Sequence, residues 1–260
     1  MQSSSEKKSD LKSLVFELQA EVGLTRNIGG LKSTEELVEL CRIDESKYVL
    51  DVGCGVGITP CYLAKKYGCK VVGIDNFDKM IDWSNERAKR KGVVDKVEFR
   101  VADAEDLPFD DGLFDVVISE ATLTFVEDKQ KVVNECARVT KPGGYVGLSE
   151  SIWSKTPPPE LVEYMSRLAG ANIPSADGWE ELLKGAGLTD IVARTHEVTI
   201  RGESANRMKR LGCREFPTIL FRALRLLLTR PAYRGLMKDA FSQPENLIEY
   251  IGYGIFVGQK

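Results

Sequence analysis

The chain has 260 residues, with 36 Lys and Arg against 39 Asp and Glu, a net charge of −3 and 43% hydrophobic residues. Such a length suits one α/β domain with an elaboration, and the composition is that of a globular protein with a sizeable core. The small net charge gives no argument for a nucleic-acid surface, and six cysteines without a Cys-x-x-Cys pair, beside one histidine, argue against a metal site or a disulfide framework and for a reducing, cytoplasmic setting.

Met1 to Asp10 are polar and lack the apolar core of a signal peptide, and no apolar run is long enough to span a bilayer. Leu11, Leu14, Val15, Leu18 and Val22 recur at helical spacing and predict an amphipathic helix. After a flexible loop at Arg26 to Gly30, Ser33 with Glu36 three residues on reads as a capping box that starts a helix through Cys41. From there strands and helices alternate. Strands are expected at Tyr48–Val52, Lys70–Ile74, Val97–Val101, Phe114–Ser119 and Tyr145–Ser149, with helices at Ile58–Tyr67, Asp78–Lys91 and Asp128–Val139. After Glu150 a triple proline breaks the chain, and helices are expected at Leu161–Leu168 and, capped by Asp177, at Trp179–Ala186. Two last strands are expected at Asp190–Ile200 and Glu249–Gln259. Repeated βαβ units imply a doubly wound, mostly parallel sheet with helices on both faces, and ligands outside the carboxyl edge of its strands.

Four segments carry chemistry. Asp51-Val52-Gly53-Cys54-Gly55-Val56-Gly57 has glycines where a strand turns sharply and a ligand touches backbone. Its Gly-x-Gly-x-Gly spacing departs from the Gly-x-Gly-x-x-Gly of dinucleotide folds, because position 58 is Ile. Asp51 suits a ligand with an ammonium group, and the plainer reading is a capping acid. Asp75 ends the second strand, where a carboxylate accepts both ribose hydroxyls or else caps a turn. Asp103, directly after the third strand, is placed to accept the exocyclic amine of adenine, whereas Glu105 and Asp106 read as solvated loop acids. The fourth strand delivers Ser119 and Glu120 to the ligand edge, and Lys141-Pro142-Gly143-Gly144 is a structural turn before the fifth.

In this order the four segments, from Tyr48 to Glu150, resemble the class I S-adenosylmethionine-dependent methyltransferases. Leu107-Pro108-Phe109 and the Lys-Pro-Gly-Gly turn look most like the ubiquinone/menaquinone-type, small-molecule branch. The resemblance implies a seven-stranded, Rossmann-like sheet with an antiparallel last strand. It implies S-adenosylmethionine as cofactor and S-adenosylhomocysteine as product. Asp51 and the turn Gly53, Cys54 and Gly55 would hold the methionine end and Asp75 the ribose, with Asn76 and Met80 flanking the adenosine. Asp103 and Ala104 would hold adenine, and Ser119 would lie beside the cofactor. Ile28-Gly29-Gly30-Leu31 with Thr34 also looks like the cofactor-covering N-terminal region of that branch. With the pattern of elements this gives a domain plan: a helical lid over 1–45, a methyltransferase domain over 46–200 and 246–260, and a helical insertion over 201–245.

Methyl transfer is an in-line displacement that needs alignment and exclusion of water, with a base only where the acceptor must lose a proton. Where a base is needed, Glu120 or Glu150 at the ligand edge is expected, with a cap or a solvated loop acid as equal alternatives for Glu120. Glu150 and Trp153, after the fifth strand, are the expected acceptor contacts, although Trp153 could be core. The one histidine, His196, falls in a late strand and reads as packing or surface.

The insertion is basic: from Arg201 to Lys238 ten Lys or Arg stand against two acids. Its helix around 218–229 carries a basic stripe on an apolar body. Such a segment suits peripheral contact with an anionic membrane through 218–238, or a lid or dimer contact with solvated arginines. It lacks the aromatic surface of a single-strand nucleic-acid site. The sequence therefore predicts a methyltransferase for a small-molecule or lipid-like acceptor. The rival readings are a nicotinamide-dependent oxidoreductase and a catalytically silent protein that binds S-adenosylmethionine.

Overall fold

The computed structural model describes residues 13–25, 27–198, 216–241, 244 and 246–260. Seven strands form one sheet: β1 (Tyr48–Val52), β2 (Lys70–Asp75), β3 (Val97–Val101), β4 (Phe114–Glu120), β5 (Thr140–Trp153), β6 (Thr189–Glu197) and β7 (Ile251–Gln259), in the order β3-β2-β1-β4-β5-β7-β6. The first five strands run parallel, and β7 pairs antiparallel with both β5 and β6.

The helices are α1 (13–22), α2 (Gly30–Leu40), α3 (Ile58–Lys66), α4 (Asp78–Lys91), α5 (Lys129–Val139), α6 (Pro159–Ala169), α7 (Ala176–Gly185), α8 (Phe216–Thr229), α9 (Pro231–Phe241) and the single turn α10 (Leu247–Tyr250). A 3-10 turn, Leu123–Phe125, follows β4.

A parallel strand covered on both faces must be apolar on both, and the period of two sorts its side chains. Val49, Val71, Val116 and Ile118 meet Leu37 and Val38 of α2 and Leu63 of α3 on one face. Leu50, Val52, Val72, Ile74 and Val117 meet Val132, Val133 and Cys136 of α5 and Trp179 and Leu183 of α7 on the other. Burying side chains of this size contributes about 1.5–3 kcal/mol each, so these two layers fix the strand registers. All five described cysteines are buried and free of disulfides, and Cys213 lies outside the described residues.

Several boundaries differ from expectation, for local reasons. α2 starts at Gly30 because Gly29, at φ 85°, turns the chain into it, so Ser33 is inside the helix and its buried hydroxyl donates to the Gly30 carbonyl. Asp78 sits in the first turn of α4 behind Phe77 as N-cap, and Ser175 rather than Asp177 caps α7, accepting from the Gly178 N–H. Asp128 does cap α5, through the Lys131 N–H. β5 begins at Thr140 and runs through the Lys-Pro-Gly-Gly turn, since its pairing with β4 resumes after an irregularity between Phe114 and Val116.

The described residues of the 1–45 segment meet two different surfaces. α2 is a layer of the core, whereas α1 and the residues after it lie against the β1 turn and α4, as the contacts below establish. Leu11 lies outside the described residues. Of the insertion, 201–215, 242, 243 and 245 lie outside them, and 216–241 carries α8 and α9.

Candidate active site

The strand order reverses between β1 and β4, with β2 and β3 on one side and β5 on the other. At such a switch point the loops leaving neighbouring strands diverge and open a crevice at the carboxyl edge. The two loops that border it are the glycine turn after β1 and the 121–125 turn after β4.

Gly53, Gly55 and Gly57 have φ of 77°, 54° and 72°, the left-handed region that favours glycine. Space imposes the same choice: a Cβ on Gly53 would run into the Thr122 side chain, one on Gly55 into Thr25, and one on Gly57 into Ser84. The turn is held from outside. The N–H groups of Gly53 and Cys54 donate to the Ile74 carbonyl at 2.9 and 2.8 Å. From α4, the Ser84 hydroxyl donates to the Gly55 carbonyl and Arg87 Nε to the Val56 carbonyl, both at 2.8 Å.

Asp75 ends β2 beside this turn. Its Oδ2 accepts the Gly55 N–H at 3.0 Å and its Oδ1 the Phe77 N–H at 3.1 Å. A carboxylate offers about four acceptor positions, so the group ties the turn and still has one open to a ligand hydroxyl. Burial pushes its pKa up, while the backbone N–H groups of Phe77, Gly55 and Asn76 pull it down. Asp51 is buried in β1 between Gly73 and Ile118. Cys54 is buried, and burial raises its thiol pKa well above the ordinary value, ahead of the nearby Asp51 and Asp75 charges.

Other expected site residues fall in different surroundings. Asn76 is exposed, and Met80 is buried with Ala20 and Val56. Asp103 is exposed and accepts the Glu105 N–H at 2.9 Å, and Ala104 packs against the core. Ser119 is fully buried and donates to the Val52 carbonyl at 2.8 Å, stitching β4 to β1. Trp153 packs with Leu161, Tyr164 and Leu247. His196 lies on the edge strand β6, stacked on Tyr253, with Nε2 2.9 Å from Glu36 Oε2.

The two glutamates are engaged on every side. Glu120 Oε1 accepts Asn27 Nδ2 at 3.1 Å and Thr34 Oγ1 at 2.8 Å, and Oε2 accepts Thr59 Oγ1 at 2.5 Å. It therefore joins the end of β4 to α2, α3 and the loop between α1 and α2. Glu150 is buried, with Oε1 accepting the N–H groups of Thr122 and Leu123, both at 2.8 Å, and Oε2 the Thr124 N–H at 3.2 Å and the Thr124 hydroxyl at 2.8 Å. It clamps the turn after β4, in which Ala121 adopts φ 54° and the Thr122 hydroxyl reaches the Gly53 carbonyl at 3.3 Å. An acceptor contact through Glu150 would have to break this set.

A cover crosses the crevice. Phe16 of α1 lies between Phe77, after β2, and Phe125, after β4, with ring centroids 6.1 and 5.2 Å away. Trp83 Nε1 donates to the Ala20 carbonyl at 2.8 Å, and Lys79 pairs with Glu21. Arg222 of α8 stacks on Trp83 at 4.2 Å. Beneath this cover the Oδ1 of Asn27 is buried with no hydrogen-bond partner. A buried, unpaired acceptor costs about 1–3 kcal/mol, and a donor on a bound ligand would relieve that cost. Thus the crevice presents glycines that a Cβ would block, a carboxylate with spare capacity and an orphaned acceptor, a set that fits an amino-acid nucleoside. Among the described residues no cluster of metal-binding side chains occurs.

Sequence reading missed Thr25, Asn27, Thr59, Ser84, Arg87 and Thr122. None stands in a motif, and each acts through a partner distant in sequence.

Residues 50–148 match the family described as methyltransferase domain. The chain is 39% identical over 166 residues to phosphoethanolamine N-methyltransferase 1 of Arabidopsis thaliana, a match over 64% of this chain and 33% of that protein. The chain thus spans about a third of the length of the curated plant relatives it matches. It is 31% identical over 186 residues to an uncharacterised protein of Haemophilus influenzae, over 70% of this chain and 74% of that protein. The solved structure of phosphoethanolamine N-methyltransferase 2 of Haemonchus contortus, with phosphomonomethylethanolamine and S-adenosylhomocysteine, superposes with a TM-score of 0.69. That superposition covers 94% of this chain and 57% of that one at 22% identity, a likeness of fold. The seven-stranded sheet, the glycine turn and these matches agree: the chain belongs to the class I S-adenosylmethionine-dependent methyltransferases.

Proposed function

We propose that this chain transfers a methyl group from S-adenosylmethionine to a small-molecule or lipid-like acceptor by in-line displacement. The observation that carries the reading is the crevice at the β1/β4 switch point. It pairs a turn open only to glycine with the Asp75 carboxylate and lies under a cover built from α1.

The cofactor supplies a methyl group on a sulfonium, a good and neutral leaving group. The protein's own part is binding, alignment and exclusion of water. Asp51, Gly53, Cys54, Gly55 and Asn27 would take the methionine end, Asp75 with Asn76 the ribose, and Asp103 with Ala104 the adenine. Met80 and Ser119 would support this site from the layer behind, Met80 in a buried cluster and Ser119 through Val52. The cover formed by α1 with 23–25, 27 and 28 would keep water from the reacting carbon. Glu120 and Glu150 are assigned to positioning, because Glu120 ties β4 to α2, α3 and Asn27, and Glu150 accepts two donors on each oxygen. An acceptor whose nucleophile carries a lone pair at working pH needs no further base.

A small amine, reacting through its uncharged fraction, is the first acceptor to test, since the 39% identical relative is named for phosphoethanolamine. We place the protein in the cytoplasm, with at most a peripheral membrane contact. Incubation with cofactor labelled in the methyl group and a panel of amines, or a host extract separated into lipid, water-soluble, protein and nucleic-acid fractions, tests the reading. Label in a small-molecule or lipid fraction is expected. Label confined to protein or nucleic acid, or none in any fraction despite tight cofactor binding, would overturn it.

A further inference from the structure

Helix α8 has a face that the fold leaves bare. At 100° per residue, Leu220, Leu224 and Leu228 stand one above another and Phe221 lies beside them. Their exposures are 49%, 51%, 77% and 68%. The other large exposed apolar side chains among the described residues are four single valines on other parts of the fold. A contiguous apolar stripe of this kind marks an interaction surface, whereas scattered ones do not.

The surroundings of the stripe identify the partner. From Phe216 to Lys238 the chain contains no Asp or Glu, within a protein whose net charge is −3. Arg225 stands exposed on the flank of the stripe, and Arg230 stands exposed at its end. Exposed Arg234 donates to the carbonyls of Leu227 and Leu228, which fixes a positive charge at the end of the helix. The opposite arc is taken by the fold: Arg222 stacks on Trp83, and Ile219, Ala223, Leu226 and Leu227 are half-buried. No described helix is long and apolar enough to cross a membrane. A short apolar stripe bordered by arginines and lacking acids is the composition of a helix that lies in a lipid–water interface, its apolar side among acyl chains and its cations among phosphates. Pairing two copies stripe to stripe would instead bring their basic flanks together.

We propose that α8 docks the protein on an anionic phospholipid bilayer, with Leu220, Phe221, Leu224 and Leu228 inserted and Arg225, Arg230 and Arg234 on the lipid phosphates. This surface is independent of which acceptor the enzyme methylates.

The test is co-sedimentation of the full chain with vesicles of phosphatidylcholine alone and of an equal mixture with phosphatidylglycerol. Binding to the mixed vesicles is expected, falling as salt screens the arginines. The double variant F221E/L224E should lose about tenfold or more of that binding, and R225E should lose binding to mixed vesicles more than to neutral ones. Retention of the melting-temperature rise with S-adenosylhomocysteine establishes that the variants are folded. Absence of binding to either vesicle, or equal binding to both with R225E indifferent, would overturn the proposal. So would a concentration-dependent dimer in sedimentation velocity that F221E/L224E abolishes.

Discussion

At the residue scale, one carboxylate carries two duties at Asp75. It anchors Gly55 and Phe77, and its remaining lone pairs are assigned to the ribose. Losing hydrogen bonds to a charged group costs about 1.5–3 kcal/mol, so D75A should weaken S-adenosylhomocysteine roughly 10- to 150-fold by calorimetry. Unchanged affinity would remove the ribose assignment. The place of Asp75 at the end of the second strand was legible, and its bonds to Gly55 and Phe77 match the turn-capping alternative that the sequence left open. Glu120 was legible as a residue and not as a role. Its partners Asn27, Thr34 and Thr59 lie 93, 86 and 61 residues away, and no local pattern shows that they meet on this carboxylate. E120Q keeps an acceptor for Asn27 and Thr34, and the Thr59 hydroxyl can turn to meet the amide. We expect this variant to retain kcat and the pH profile of the parent, whereas E120A should speed proteolytic cleavage between residues 23 and 28. A kcat lost in E120Q together with the acidic limb of its pH profile would make Glu120 the base after all.

At the element scale, the turn after β4 depends on a residue of β5. Three N–H groups and a hydroxyl of residues 122–124 converge on Glu150, which lets Ala121 stay in the left-handed region and sets Thr122 against Gly53. E150A would strand those donors, and we expect a loss of about 1–3 kcal/mol in urea unfolding. Burial raises the Glu150 pKa above its ordinary 4.5, while the hydrogen bonds from Thr122, Thr124 and Leu123 pull it down. The folded protein then holds this proton to higher pH than the unfolded chain does. Its contribution to stability is therefore complete below about pH 4.5 and is lost as pH rises through the folded-state value. In E150Q that slope should vanish, so the stability difference between parent and variant should shrink with rising pH in this window. A difference flat in pH would mean that the group titrates alike in both states. Caps illustrate what sequence does and does not disclose about elements. Asp128, expected as the first residue of its helix, is the cap just outside it, and the cap expected at Asp177 falls to Ser175, which has the extended backbone that capping requires.

At the scale of the whole molecule, the sheet was legible because burial on two faces writes apolar runs at regular intervals, and the order of runs leaves few topologies. The cover was legible only in part. α2 and α1 share an amphipathic pattern, but α2 spends it on the core and α1 on Phe77 and Phe125 across the crevice. Nothing in either helix's own periodicity tells which surface it will meet. That division has a measurable consequence, because the glycine turn, Asp75 and the cover come from three separate stretches of chain. A ligand that touches all three stabilises only the state in which they are assembled. At a hundred times its dissociation constant, S-adenosylhomocysteine should add about 2.7 kcal/mol. For a chain of this size that raises the melting temperature by roughly 5–10 °C. The same concentration should slow proteolysis between residues 13 and 28, which a ligand seated on the turn alone would leave unchanged. NADH should do neither, since the Gly-x-Gly-x-Gly turn is the wrong spacing for a pyrophosphate on the helix that follows. A larger shift with NADH than with S-adenosylhomocysteine would return the crevice to the nicotinamide reading, and a shift without protection would place the ligand outside the cover.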